Sequence, residues 1–261
     1  MITIHEVIQT ILSSIPGAPF LDTVDTVKIG NPSQPVTGIV TTFMATVDVI
    51  RKAAALGANL VITHEPTFYN HRDETSFLAG DKVYETKRRL IEDYRIVIWR
   101  FHDYWHAHQP DGIVTGTLKK MGWEIYANLE HPLEYDLPGL TLLDLANELK
   151  AKLEIQTLRY VGDSQQVCRK VALRVGAYGW ETHVQALRQD IDVLIVGEIN
   201  EWETSEYTRD AISLGMKKAL IITGHVSSEE PGMAYLVEWL QPRFPGVPVT
   251  HISAGSPFKW L

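Results

Sequence analysis

Six short, almost uninterrupted apolar runs, at residues 38–43, 59–63, 95–101, 170–175, 192–197 and 219–223, constrain the fold of this chain more than any other feature. Runs this short, bounded by polar or glycine residues, match strands covered on both faces, as in parallel sheets. Helical periodicity fills many of the intervals, at residues 47–56, 82–93, 182–189 and 203–214, with further helices at 3–14 and 142–153. Alternation of this kind predicts an α/β fold with largely parallel strands. The pattern breaks after residues 123–128, where His131, Pro132 and Pro138-Gly139 intervene. Two α/β lobes are therefore expected, 1–128 and 129–261, with the return of the last strand to the first lobe left open.

Composition narrows the function. A chain of 261 residues with 45% hydrophobic content can bury the cores of two modest lobes. A net charge of −8 argues against a protein that grips nucleic acid through its phosphates, since that needs a basic face. Cys168 is the only cysteine, which excludes an internal disulfide or a polythiolate zinc site and fits a reducing cytoplasm. Glu6 breaks the apolar stretch near the N-terminus, so no secretory signal is expected, and no window reaches the roughly 20 apolar residues of a membrane span. The expected location is cytoplasmic, without a membrane partner.

Ligands of open α/β sheets bind outside the carboxyl ends of the strands, so the residues that follow each apolar run are informative. The run at 59–63 leads into His64-Glu65-Pro66, and that at 95–101 into His102-Asp103-Tyr104-Trp105-His106. The run at 192–197 ends at Glu198, and that at 219–223 leads into Gly224-His225-Val226-Ser227-Ser228-Glu229. Imidazole with carboxylate is a ligand set for zinc, iron, manganese or cobalt. A single histidine closing a strand is more often a loop residue with one hydrogen bond; the metal reading draws on four coincidences. His64-Glu65 does not begin a His-Glu-x-x-His helix, because position 68 is Phe68 and Pro66 interrupts. Pro231 places the start of the next helix near Ser227 or Ser228, putting His225 on a loop and Glu229 in the first turn. Tyr104 and Trp105 are candidates to stack on a flat group, against the simpler reading that they pack.

These segments resemble the Ngg-interacting-factor-three-like proteins, also called GTP cyclohydrolase I type 2 homologues or dinuclear-metal-centre hexameric proteins. Gly57-Ala58-Asn59-Leu60-Val61-Ile62-Thr63-His64-Glu65-Pro66 is similar to a family segment that ends in His-His-Pro, Gly197-Glu198 to its Thr-Gly-Glu turn, and 224–229 to its Gly-His-x-x-Ser-Glu motif. The resemblance implies two linked lobes with a metal site in the cleft between them, two divalent ions, and a hexameric ring. His64, His225 and Glu229 match family ligands directly. Glu65 stands where the family has a second His, and His106 where it has an Asp, so three imidazoles and two carboxylates are retained.

The resulting expectation is a dinuclear metal-binding protein, a metal-dependent hydrolase of a small-molecule substrate, with His64, Glu65, His106, His225 and Glu229 as ligands. Glu198, His102 or Asp103 would move protons, while His71 and His108 lie close enough in sequence to support the ligands. The ions are zinc, iron, manganese or cobalt. No Gly-x-x-x-x-Gly-Lys-Ser/Thr phosphate loop accompanies the GTP-related family name. The competing class is a non-catalytic metal-binding or regulatory ring.

Overall fold

The apolar runs become strands with boundaries shifted by a few residues at most. The computed structural model describes residues 2–126 and 131–261. Its elements divide into two units, Met1–Gly116 with Glu230–Gly255, and Thr117–Glu229 with Ser256–Leu261. The boundary expected at residue 128 lies outside the described residues.

The first unit contains α1 (Ile4–Leu12), β1 (Val27–Ile29), β2 (Ile39–Thr42), α2 (Val47–Ala55), β3 (Leu60–Thr63), α3 (Lys82–Asp93), β4 (Val97–Arg100) and α4 (Asp103–Ala107), and α5 (Gly112–Met121) begins in it. The second unit holds β5 (Glu134–Thr141), α6 (Leu142–Lys152), β6 (Arg159–Val161), β7 (Val167–Arg174), α7 (Trp180–Leu187), β8 (Val193–Val196), α8 (Glu206–Ser213) and β9 (Ala219–Ile222). The division then falls inside α9 (His225–Leu240), and β10 (Val249–His251) belongs to the first unit.

In the first unit the strand order is β1-β4-β3-β2-β10, with β4, β3, β2 and β10 parallel and β1 antiparallel at the edge. In the second it is β5-β7-β8-β9-β6, with β7, β8 and β9 parallel between antiparallel edges. Every residue of β2, β3, β4, β8 and β9 is buried, which is why these strands appear in the sequence as continuous rather than alternating apolar runs. Helix starts follow local chemistry. Thr3 and Glu6 form a reciprocal capping box on α1, and Thr46, Asp81 and Thr141 cap α2, α3 and α6 through their side chains. Among the described residues no helix is long and apolar enough to cross a membrane.

Two local expectations are corrected. Pro138-Gly139 does not interrupt structure but lies within β5, where the register with β7 shifts between Asp136 and Leu140, as an irregular edge strand allows. The helix expected from Ser227 or Ser228 begins at His225, with Pro231 inside it. Pro231 lacks the N–H that would bond Ser227 O. The turn before it is held instead by Ser228 N to Gly224 O at 3.1 Å and Ser228 Oγ to His225 O at 2.8 Å.

Candidate metal centre

In the first unit, the register Thr42↔Thr63 and Thr63↔Arg100 brings the ends of β2, β3 and β4 level. The ladder continues one row further, with His64 N bonding Thr42 O and Phe101 N bonding Thr63 O. His64 therefore leaves β3 beside the point where His102 leaves β4. The short helix α4 then carries His106 four residues on, one turn from His102. The ring centroids of His64 and His102 are 4.5 Å apart, those of His64 and His106 5.2 Å, and those of His102 and His106 5.0 Å. One ring nitrogen from each lies within 4.8 Å of one from both others.

Acidic side chains orient two of these rings. Asp103 Oδ1 lies 2.9 Å from His102 Nδ1, and Asp111 Oδ2 lies 2.9 Å from His106 Nδ1. The His102 bond, with further bonds from Thr23 Oγ1 and Val24 N, holds the Asp103 carboxyl below its ordinary pKa against its partial burial. The start of α4 is fixed by Asp25, a buried acid that accepts from His102 N and Tyr104 N, both at 2.8 Å. Burial pushes the Asp25 carboxyl up to about 6, although these backbone bonds pull the other way. Glu65 lies between two cationic or potentially cationic groups, with Oε2 3.6 Å from Arg100 Nη2 and Oε1 3.9 Å from His102 Nε2. Arg100 is wholly buried and also donates to His64 O at 3.0 Å and to His71 O.

The second unit gathers its own set. At the carboxyl ends of β8 and β9, His225 Nε2 is 2.9 Å from Glu229 Oε2 and its Nδ1 is 3.3 Å from Glu198 Oε2. Glu229 is buried, whereas the Glu198 side chain is 57% exposed. The buried acid depends on a glycine at the end of β7. Gly176 has φ +66°, and a Cβ there would lie 2.0 Å from Glu229 Oε1. Gly176 N also donates to Ser228 Oγ at 2.9 Å, tying α9 to the sheet end beside the carboxylate.

Other expected participants separate. Trp105 and Tyr104 are buried packing residues, which removes them as a stacking surface. Trp105 bonds Gly232 O through Nε1 at 3.2 Å and packs against Phe101 and Trp239, while Tyr104 stacks on Phe20 at 4.6 Å. His108 packs on Trp105 and Trp239, with Nδ1 2.7 Å from Pro110 O. His71 stays near, its ring centroid 6.3 Å from that of His102. Sequence reasoning missed Asp25, Asp111, Arg100 and Gly176. Only Arg100 carried a visible signal, a charge just before the end of an apolar run.

The Duf34/NIF3 (NGG1p interacting factor 3) profile matches residues 2–257. The chain belongs to that family. A GTP cyclohydrolase 1 type 2 homolog from Clostridium perfringens is 23% identical over 228 residues, which cover 82% of each chain. The crystal structure of a Staphylococcus aureus hypothetical protein superposes with a TM-score of 0.80 at 20% identity, covering 99% of both chains. A Bacillus cereus protein related to NIF3 gives 0.79 at 17% identity, covering 100% of this chain and 99% of its own. This NIF3-family chain therefore shares its α/β fold with those structures, and its His/Glu groups are of a kind that could bind a metal ion.

Proposed function

We propose that the chain is a divalent-metal-dependent hydrolase acting on a small molecule, with His64, Glu65, His106, His225 and Glu229 as ligands of two ions. The observation that carries this reading is that ring nitrogens of two of these ligands, His64 and His106, lie within 4.8 Å of one another, with Asp111 orienting His106. Such a donor set fits zinc, iron, manganese or cobalt, for which neutral imidazole and carboxylate are suitable ligands. A bound divalent ion supplies Lewis acidity and a water of lowered pKa.

The side chains divide the remaining work. Asp103 and Asp111 keep the rings of His102 and His106 in place, and Arg100 holds Glu65. Glu198 is more exposed than Glu229 and sits 3.3 Å from His225, a position suited to exchanging a proton with solvent. The curated relatives' name makes GTP one compound to assay, alongside generic phosphoesters, esters and amides. We further propose a homohexameric assembly in the cytoplasm.

Elemental analysis of untagged protein, followed by that substrate panel on wild type and Glu229→Ala, tests the reading. Activity that follows metal content and disappears in the variant supports it. Metal-loaded protein inert across the panel favours the non-catalytic ring. Two ions per chain are expected in wild type and fewer in Glu65→Ala and His106→Ala, while light scattering that gives a monomer mass refutes the hexamer.

A further inference from the structure

We infer that His102 is itself a metal ligand, so that the first unit builds a three-imidazole face from His64, His102 and His106, with Asp103 and Asp111 setting the tautomers that let it bind. The inference rests on the metal-binding reading above and concerns which residues hold the ion.

All three rings direct Nδ1 at an acceptor. His64 Nδ1 faces Phe101 O at 3.4 Å, His102 Nδ1 faces Asp103 Oδ1 at 2.9 Å, and His106 Nδ1 faces Asp111 Oδ2 at 2.9 Å. A carbonyl or carboxylate oxygen only accepts, so each Nδ1 carries a proton, and in the neutral ring Nε2 is then the nitrogen with the lone pair. That is the protonation state a metal-ligating histidine needs, and a carboxylate on the far nitrogen also raises the ring's basicity. If His102 served only as a partner for Asp103, nothing would require its ring to stack on His64 at 4.5 Å or to place a nitrogen within 4.8 Å of the other two. Three imidazoles would supply the number of protein ligands found in catalytic rather than structural zinc sites.

Both acids are tied down independently of the histidines, which makes them positioning residues rather than mobile counter-ions. Asp111 Oδ1 accepts from Ile113 N and Val114 N at 2.8 and 3.0 Å, capping α5. Asp103 Oδ2 accepts from Thr23 Oγ1 and Val24 N at 2.8 and 3.1 Å. Each acid thus spends one oxygen on the scaffold and the other on a ring. Asp→Asn at either position keeps the scaffold-facing oxygen and puts an amide N–H against Nδ1. That contact favours the tautomer with the proton on Nε2, where the ion would bind.

The test is zinc affinity measured by competition with a chromophoric chelator on the full chain, together with the visible spectrum of the cobalt-substituted protein. His102→Gln, Asp103→Asn and Asp111→Asn are compared with wild type, and the exposed His5→Gln serves as control. Each aspartate variant is expected to weaken binding of one ion by about 10–100-fold. His102→Gln is expected to lose at least as much and to alter the cobalt bands, with no change in the control. Zinc binding within twofold of wild type in both His102→Gln and Asp103→Asn, with unchanged cobalt bands, overturns the inference and leaves the metal-binding reading standing. Wild type that binds no zinc, cobalt, manganese or iron removes the metal-binding reading instead. Should His102→Gln fail to fold, Asp103→Asn decides, because it preserves the bonds to Thr23 and Val24.

Discussion

Replacing Glu65 by Ala in metal-free protein removes the carboxylate that faces Arg100 at 3.6 Å. The guanidinium is wholly buried, and its other bonds go to the uncharged carbonyls of His64 and His71. Taking one partner from a buried ion pair costs about 3–5 kcal/mol because the remaining charge stays out of water. The Glu65 side chain keeps 13% exposure and the separation exceeds hydrogen-bond length, which places this pair at the lower end, about 3 kcal/mol. At about 2–4 °C per kcal/mol for proteins of this size, melting should fall by roughly 6–12 °C. Glu65→Gln, which keeps an acceptor but loses the charge, should lie between. The assay is thermal unfolding with a strong chelator present, so that no ligand role of Glu65 contributes. A shift below about 2 °C for Glu65→Ala would refute the argument that Arg100 needs this carboxylate.

Three further outcomes are expected. His183 is buried with Nδ1 2.9 Å from Thr204 Oγ1, and burial depresses its pKa from 6.5 to about 4. The unfolded chain therefore binds a proton that the folded one does not, and stability present above pH 6.5 falls as pH drops toward 4, by on the order of 3 kcal/mol. Asp25, raised to about 6, acts with the opposite sign as pH falls from 6 toward 3.8, so the measurement is the wild-type minus His183→Gln difference in urea midpoints across this range; a flat difference refutes it. Gly176→Ala combines left-handed backbone strain of about 1–2 kcal/mol with a Cβ 2.0 Å from Glu229 Oε1. It should lower both melting temperature and metal content, and unaltered metal content would show that Glu229 tolerates displacement. Thr3→Ala removes the α1 capping box and should cost about 1 kcal/mol in chemical unfolding while leaving metal content unchanged.

The parallel cores were legible because strands buried on both faces carry no polar alternation, as Leu60-Val61-Ile62-Thr63 and Val193-Leu194-Ile195-Val196 show. The three-residue strands β1, β6 and β10 were not, since so few residues carry no usable period. Strand-end histidines could be picked out as a class because the sheet direction fixes where residues following a strand emerge. Their partners could not. Asp25 reaches His102 across 77 residues, and Asp111 orients His106 from beyond a helix end, so both depend on tertiary placement alone. The misplaced start of α9 has a related cause: the proline rule describes an isolated helix, whereas Ser228 holds the turn before Pro231 through its own side chain.

The return of β10 to pair with β2 bears on how the chain is made. Emerging from a ribosome, β2 gains β3 almost at once, but its other edge waits for residues 249–251. At about 5–20 residues per second, the intervening two hundred or so residues take roughly 10–40 s to synthesise. Throughout that interval Ile39–Thr42, buried along its whole length in the finished protein, presents an open edge of the kind that invites pairing with another nascent chain. The exposure of this edge thus ends only when β10 is available to pair, and chains truncated before residue 249 should partition to chaperones or aggregates far more than chains that include residues 249–251.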